Sequence, residues 1–436
     1  MRINGLTYAC FGVALFTVAA MGACSATAGS GTFTSSTATG AGGGDTLSSG
    51  TNGQGGIDIG LGGSSGTSVI NPPCNINDPN VDNDGDGFTG AQGDCNDCSA
   101  VINPGAQDFA GNNVDEDCDG IADNVTAACD ASLNVASNAP LDAAKALGLC
   151  KMSKNKSWGV ISAQYVAADG QPLNNFDPQG LGHGLLSGFG PNVHPQEGKA
   201  MLALSSGTAR QPSDPGYQSV NGYDKGYVTG APTGYPKMSP ACPMVITGEP
   251  HDSAGLLIKV KSPTNAKSLK FNLNFYTFEW PDYICSPYND FFVAMMTPVP
   301  QGQTDGNISF DTKGNLISVN AGFLEVCGCP SSGGPPCPTS GPSFACTLGR
   351  SQLKGTGFDD VYEFDGNPAT NPAENSAATG WLATTSPIQK PGSEISLLFA
   401  VWDSSDGILD STILLDNFTF DVSGADTTTA PVEVPK

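Results

Sequence analysis

The stretch 268-SLKFNLNFYTFE-279 decides how the chain is expected to fold. Its apolar and polar side chains alternate, and side chains two residues apart in a β-strand point to the same face. One face would carry the apolar side chains and the other the polar ones: Leu269, Phe271, Leu273 and Phe275 against Lys270, Asn272 and Asn274. This alternation predicts a β-strand that packs one face against a hydrophobic core.

Six further stretches, on both sides of this one, have the composition of strands: 158–167, 199–207, 255–262, 290–299, 394–403 and 412–422. Weaker runs raise the total to about ten to twelve strands separated by turn residues. One helical candidate is 140-PLDAAKALGLC-150, with Leu141, Ala144 and Leu147 on a single face. We therefore predict a mainly β fold, an antiparallel, jelly-roll-like β-sandwich over residues 129–423.

The N-terminus, 1-MRINGLTYACFGVALFTVAAMGAC-24, has the basic start and apolar run of a secretion signal. Met21-Gly22-Ala23-Cys24 resembles the lipobox of bacterial lipoproteins, in which the cysteine becomes lipidated. We predict a lipoprotein signal over 1–23 and a lipid anchor at Cys24, which would place the protein at the outer membrane or cell surface. Cleavage after Ala28 is the alternative, and it would give a soluble secreted protein.

Composition separates the rest of the chain into segments. Residues 24–73 are rich in Gly, Ser and Thr and are expected to be a flexible tether, residues 74–128 form an Asp-rich module, and residues 424–436 are expected to be a disordered tail. The net charge of −24 over 436 residues argues against nucleic acid as a partner.

Cysteine usage fits an exported protein. Of fourteen cysteines, twelve lie beyond Cys24, and an even number in an exported chain indicates disulfides. The segment 326–349 contains four of them, Cys327, Cys329, Cys337 and Cys346. We predict two disulfides there, with a zinc site as the alternative.

The Asp-rich module raises a problem of charge. Between Cys74 and Asn124 there are twelve Asp and Glu residues and no Lys or Arg. In 82-DNDGDGFTGAQGDCND-97, Asp82, Asp84 and Asp86 are spaced by two, and glycines between them allow a tight loop. Calcium takes six to eight oxygen ligands, so this spacing predicts a calcium loop to which the carbonyl of Phe88 also contributes. The loop lacks the glutamate that an EF-hand has at its twelfth position.

A second cluster, 111-GNNVDEDCDGIADN-124, repeats the pattern with Asp115, Asp117 and Asp119, followed by Asp123. A solvated acidic linker is the alternative interpretation, and the absence of histidine from the module disfavours copper or zinc. Residues 82–124 as a whole resemble the metal-binding repeat of surface proteins from myxobacteria and their relatives. The resemblance implies that both halves act around bound metal, that Asp94 and Asp97 of the G-D-C-x-D motif take part, and that Cys95 and Cys118 form a bridge.

Two later stretches, 278-FEWPDYICSPYNDFF-292 and 403-DSSDGILDSTILLDNF-418, resemble the choice-of-anchor L family of exported bacterial proteins. The matching positions are Glu279, Pro281, Asn289, Asp290, Asp403, Asp406, Asp410 and Ser411, while Trp280 replaces the usual Tyr. The resemblance implies a surface domain with a variable means of attachment and names no ligand.

Three of the acids in these stretches follow the apolar alternation of a strand. Glu279 continues the parity of Phe275, Asp403 continues that of Val401, and Asp416 shares parity with Leu414 and Phe418. A carboxylate that points toward a core must be paired, hydrogen-bonded or metal-bound. We therefore predict a second metal site, for calcium, that unites these three residues. The family resemblance adds Asn289, Asp290, Asp406 and Asp410 as further ligands from adjoining loops. The alternatives are strand ends in solvent, or carboxylates satisfied by backbone amides.

Catalytic motifs are lacking. The chain has three histidines, and neither a G-x-S-x-G elbow nor an H-E-x-x-H motif occurs. We predict a non-catalytic, calcium-binding surface lipoprotein whose sandwich binds or adheres to an extracellular glycan or protein. A structural envelope protein is the alternative, and a carbohydrate hydrolase, which needs only two carboxylates, stays open as well.

Overall fold

The computed structural model describes residues 77–327, 344–359 and 376–432. In these residues, strands with alternating apolar and polar side chains form two antiparallel sheets. The strands are β1 (Gly159–Val166), β2 (His183–Leu186), β3 (Met201–Ser205), β4 (Pro250–Lys261), β5 (Ser268–Thr277), β6 (Phe291–Thr297), β7 (Ile317–Ser318), β8 (Ala377–Ala378), β9 (Leu382–Pro387), β10 (Glu394–Ser404), β11 (Ser411–Asp421) and β12 (Thr428–Pro431). The first sheet has the order β1-β4-β10-β6-β7. The second has the order β12-β9-β5-β11-β3-β2, with β8 paired to β5. The predicted mainly β, sandwich-like fold is confirmed.

The core lies between the two sheets and is built by the predicted apolar faces. Leu269, Phe271, Leu273 and Phe275 of β5 share it with Ile395, Leu397, Phe399 and Val401 of β10. The rings of Phe271 and Phe399 meet edge to face with their centroids 5.1 Å apart. Because these residues come from different sheets, the contact joins the two layers.

The outer faces of the sheets are covered as well. On the second sheet, Tyr276, Phe278 and Leu414 pack with Phe189 and Phe358 in a separate apolar cluster. The polar face of β5 is therefore covered at Asn272 and Asn274, which are both buried, and exposed at Lys270.

All seven predicted stretches contain a strand, and the short strands β2, β7, β8, β9 and β12 are additional. The predicted helix is α1 (Pro140–Ala146), in which Ala144 is buried as expected while Leu141 is 40% exposed. The expectation of disorder from residue 424 is wrong for Thr428–Pro431, which pairs with β9. Its Thr429 hydroxyl bonds Thr384 at 2.9 Å, so threonines support this pairing where apolar residues are few.

Four disulfides join described residues: Cys95–Cys118, Cys129–Cys150, Cys242–Cys285 and Cys327–Cys346. Cys98 is disulfide-bonded as well. The bridge expected between Cys95 and Cys118 is thus present, and several disulfides are more typical of exported proteins. The predictions for Cys24, Cys329, Cys337 and residues 24–73 lie outside the described residues. Within the described ranges, no helix has the length and apolar character needed to cross a membrane.

The Asp-rich module packs against the loop between β4 and β5. The Thr264 amide donates to the Gly105 carbonyl at 3.0 Å, and the side-chain oxygen of Asn265 accepts a bond from the Gln107 amide at 3.1 Å. The Asn265 side-chain amide returns a bond to the Gln107 carbonyl at 2.9 Å. These bonds hold the middle of the module on the sandwich.

Candidate metal centres

The first loop of the module is shaped by its own aspartates. Gly85 and Gly87 adopt φ values of +83° and +95°, a region that residues with a Cβ rarely occupy. The two carboxylate oxygens of Asp82 accept bonds from the amides of Gly85 at 2.7 Å and Gly87 at 3.0 Å. One oxygen each of Asp84 and Asp86 accepts the amide two residues ahead. The second oxygens of both, Asp84 Oδ2 and Asp86 Oδ2, are buried and have no hydrogen-bond partner among the residues that the structure describes.

Two groups of ligand atoms form around this loop. Asp82, Asp84 and Asp86 form one group, and Asp84 forms another with Asp94 and Asp97, each with ligand atoms within 4.8 Å of one another. Asp94 and Asp97 are buried, and Asp94 Oδ2 has no partner. Burial, followed by the neighbouring carboxylates, raises the pKa values of Asp84 and Asp94 and brings that of Asp86 to about 6. The first half of the module can therefore hold a metal ion.

The second half of the module gathers Asp108, Asp115 and Asp117, whose ligand atoms also lie within 4.8 Å of one another. Asp108 accepts the amides of Glu116 at 2.7 Å and Asp117 at 3.0 Å, and burial raises its pKa to about 6. Asp117 Oδ1 is buried without a partner. Sequence reasoning missed Asp108, because it has no acidic neighbour two residues away and joins the cluster only through the fold.

Three other predicted ligands have different surroundings. Asp123 accepts the amides of Gly111, Asn112 and Asn113 and so closes a turn, and Asp119 accepts the Ile121 amide and the Asn124 side chain. The Phe88 side chain is buried, and a Cβ added at Gly105 would lie 2.9 Å from its ring. Neither Asp119 nor Asp123 belongs to a group of three acids with converging ligand atoms in the described chain.

Lysines from the start of the sandwich supply positive charge to the module. Lys151 Nζ lies 3.2 Å from Asp117 Oδ2. Lys156 Nζ donates to the Gly87 carbonyl at 2.6 Å and lies 5.0 Å from the centre of the Phe88 ring. Each half of the module thus meets one lysine, against twelve acidic residues in the sequence from Cys74 to Asn124.

A second collection of acids occupies one end of the sandwich, where β5 and β10 end and β6 and β11 begin. The structure brings together five of the predicted residues, all at most 2% exposed: Glu279, Asn289, Asp290, Asp403 and Asp410. Asp290 bridges the sheets, because its oxygens accept the Ser404 amide at 3.1 Å and the Ser411 hydroxyl at 2.6 Å. Asp406 is half-buried and accepts the Ile408 amide.

Charge at this end is poorly compensated. Burial, then mutual repulsion, raises the pKa values of Glu279, Asp290, Asp403 and Asp410 well above their usual range. Lys225 is the basic residue whose field reaches Asp403 and Asp410. Its Nζ donates to the carbonyls of Ser205 and Gly207, each at 3.1 Å.

Asp416 does not join this cluster, so the predicted union of Glu279, Asp403 and Asp416 is wrong. The pairing of β11 with β5 shifts between Asp416 and Thr419, where Asn417 has a φ of +53°. This bulge reverses the facing of the side chains, so the parity that linked Asp416 to Phe418 does not hold. Asp416 also lies five residues from Ser411 along the strand, which is about 17 Å. Its carboxylate accepts three backbone amides, those of Gln196, Glu197 and Asn417.

No protein-family model, curated protein or solved structure matches this chain.

Proposed function

We propose that this chain is an exported, calcium-binding surface protein in which calcium completes the Asp-rich module. The observation that carries the proposal is the set of buried carboxylate oxygens without partners: Asp84 Oδ2, Asp86 Oδ2, Asp94 Oδ2 and Asp117 Oδ1. Burying a carboxylate without a donor or a counterion is costly, and a bound cation removes that cost. Both halves of the module have such oxygens beside converging ligand groups.

The donor chemistry favours calcium over other cations. The ligand groups consist entirely of carboxylates, and the described module cysteines, Cys95, Cys98 and Cys118, are disulfide-bonded. Zinc and copper prefer imidazole or thiolate, whereas hard oxygen sets suit calcium, magnesium and manganese. Calcium accepts irregular sets of six to eight oxygens, while magnesium requires a near-octahedral arrangement. Irregular loops, in which Asp84 belongs to two ligand groups, therefore suit calcium best.

The sandwich is proposed to be a non-catalytic domain that binds an extracellular glycan or protein. A cavity of about 310 Å³ supports a binding role. Its buried wall includes Tyr165 and His183, whose rings stack 3.6 Å apart, and its rim carries the amides of Asn138, Gln164 and Asn174. A pocket with an apolar wall and several side-chain amides at its rim can bind a polyhydroxylated ligand. Attachment through a lipid at Cys24 completes the proposal, and it would suit the variable surface attachment expected of a choice-of-anchor L domain.

The test is the number and affinity of calcium ions bound by the full chain, measured by equilibrium dialysis and calorimetry. Asp84→Asn and Asp94→Asn are expected to remove binding at the first half of the module. Asp78→Asn is the matched control, since Asp78 lies in the same module but belongs to none of the ligand groups. Unchanged calcium binding in both ligand variants would reject the proposal for the module.

A further inference from the structure

We propose that the sandwich contains a cation site of its own, in which Glu279, Asn289, Asp403 and Asp410 hold one calcium-class ion between the two sheets. This site goes beyond the module, which shares none of its residues. Asp290 is assigned a positioning role.

Hydrogen bonding divides the buried residues into ligands and framework. Both oxygens of Asp290 are used, by the Ser404 amide and the Ser411 hydroxyl, so Asp290 fixes the distance between the start of β11 and the end of β10. Six other oxygens at this end are buried and accept no well-formed hydrogen bond from the described residues, although the Ser206 and Asp290 side chains lie near Asp403: Glu279 Oε2, Asn289 Oδ1, and both oxygens of Asp403 and of Asp410. Six oxygens are the lower limit of calcium coordination.

The protein offers this cluster too little positive charge of its own. Lys225 uses two N–H groups on the carbonyls of Ser205 and Gly207, and it forms none of the ion pairs found among the described residues. Four carboxyl groups therefore face a single ammonium that is directed elsewhere. A divalent cation would supply both the missing charge and a partner for the six oxygens.

Strand geometry brings the ligands together from distant parts of the sequence. Glu279 follows β5, Asn289 precedes β6, Asp403 ends β10 and Asp410 precedes β11. The Phe278 amide donates to the Asp410 carbonyl at 3.2 Å, which holds the Glu279 segment beside Asp410. In the described chain, the groups of three acids with ligand atoms within 4.8 Å belong to the module. The ligand atoms of the sandwich site are therefore spread over more than 4.8 Å. Calcium allows such a spread, because oxygens on opposite sides of the ion lie about 5 Å apart.

The experiment separates this site from the module within the full chain. The triple variant Asp84→Asn, Asp94→Asn, Asp117→Asn removes ligands from both halves of the module. Bound calcium per chain is measured after equilibrium dialysis. We expect the triple variant to retain one ion, and we expect further substitution with Asp403→Asn or Asp410→Asn to abolish it. Asp416→Asn is the matched control, because its buried carboxylate is satisfied by backbone amides, and it should leave the ion in place.

Terbium provides a second readout. Trp280 and Trp402 are the sequence neighbours of Glu279 and Asp403. Terbium bound at the sandwich site of the triple variant should therefore show tryptophan-sensitised emission, which Asp403→Asn removes. If Asp403→Asn does not fold, as judged by near-ultraviolet circular dichroism, Asn289→Ala replaces it and should weaken binding about tenfold.

Two results would overturn the inference. One is a triple variant that is folded and binds no calcium, and the other is an ion retained after both Asp403→Asn and Asp410→Asn in folded protein. A different outcome would affect the module alone. If the triple variant binds as many ions as the wild type, and Asp403→Asn then removes one, the proposal for the module fails while the sandwich site stands.

Discussion

The Asp-rich module and the acidic end of the sandwich both concentrate carboxylates, but the backbone treats them differently. In the module, loop amides point at the acids, so that Asp82, Asp115 and Asp123 each accept two or more amides from nearby residues. At the sandwich end, Asp403 belongs to a strand whose amides face the neighbouring strands, and neither of its oxygens accepts an amide from the described residues. Amides of an irregular loop can donate hydrogen bonds to a carboxylate, whereas the amides of a paired strand are already used by the neighbouring strands.

This difference suggests different roles for bound ions. The module has few buried apolar residues, among them Phe88 and Ile102, so its order depends on carboxylate bonds and metal. The acids of the sandwich stand on strands already fixed by a large core. An ion in the module should determine local order, whereas an ion in the sandwich should balance charge within a frame that persists without it.

The largest expected effect comes from replacing Lys225, the lysine whose charge reaches the acidic end of the sandwich. Lys225→Met should lower the free energy of unfolding by about 3–5 kcal/mol, because it removes two charge-assisted hydrogen bonds to the carbonyls of Ser205 and Gly207 as well as the ammonium field at the buried carboxylates. The loss should be greater in chelator than in calcium, since a bound ion would share the compensation. Urea unfolding in both conditions measures it. Equal losses in calcium and in chelator would mean that no ion shares the charge of this cluster.

Chelation should affect the two regions unequally. At calcium one hundred times its dissociation constant, each bound ion stabilises the folded state by about 2.7 kcal/mol. In chelator, amides in 80–124 should therefore exchange about tenfold or more faster than those of β5 and β10, which keep the protection set by global unfolding even after the sandwich ion is lost. Mass spectrometry of peptides from both regions measures this. Equal protection of the two regions in chelator would contradict the assigned difference.

The fold could be predicted further than the sites because its signal is local. Seven strands show apolar alternation within ten residues or so, while β9 and β12 escaped notice because threonines replace part of the apolar pattern. The spacing of Asp82, Asp84 and Asp86 likewise revealed a loop. Asp108, Lys151 and Lys225 act through contacts with distant segments, which no spacing rule reports. Asp416 was misplaced because one extra residue, at the Asn417 bulge, inverted the pattern.

Asp416 offers a third case, a buried carboxylate satisfied by amides within the sandwich. Burial raises its pKa to about 7 even though the amides of Gln196, Asn417 and Glu197 lower it. The folded-state pKa thus exceeds the value of 3.8 taken for the unfolded chain, so the carboxyl contributes most stability below pH 4 and loses it as the pH rises through 7. Asp416→Asn removes this dependence, so the stability of the variant relative to wild type should rise by about 2.5 kcal/mol from pH 5 to pH 8.

Urea unfolding of both proteins at the two pH values, in calcium and in chelator, measures the effect. The gain should be the same with and without calcium, in contrast to variants of Asp403. A stability difference that is constant from pH 5 to pH 8 would show that the three amides keep the Asp416 carboxylate ionised throughout.

The smallest expected effect concerns Lys151, a lysine of the sandwich that forms an ion pair with the module. Lys151 Nζ lies 3.2 Å from Asp117 Oδ2, beside the partnerless Asp117 Oδ1, and both side chains are partly exposed. An ammonium at this position neutralises the metal-free cluster but repels an incoming cation. Lys151→Met should therefore destabilise the protein in chelator by less than about 1 kcal/mol, as is usual for a partly exposed ion pair. The same variant should bind calcium about two- to fivefold more tightly.

Lys145→Met is the matched control, since it breaks the exposed pair with Asp142 in α1 and should leave calcium affinity unchanged. Calorimetry of the three proteins decides the point, because weaker binding by Lys151→Met would make the lysine a support for the ligand Asp117 and not a competitor of the ion.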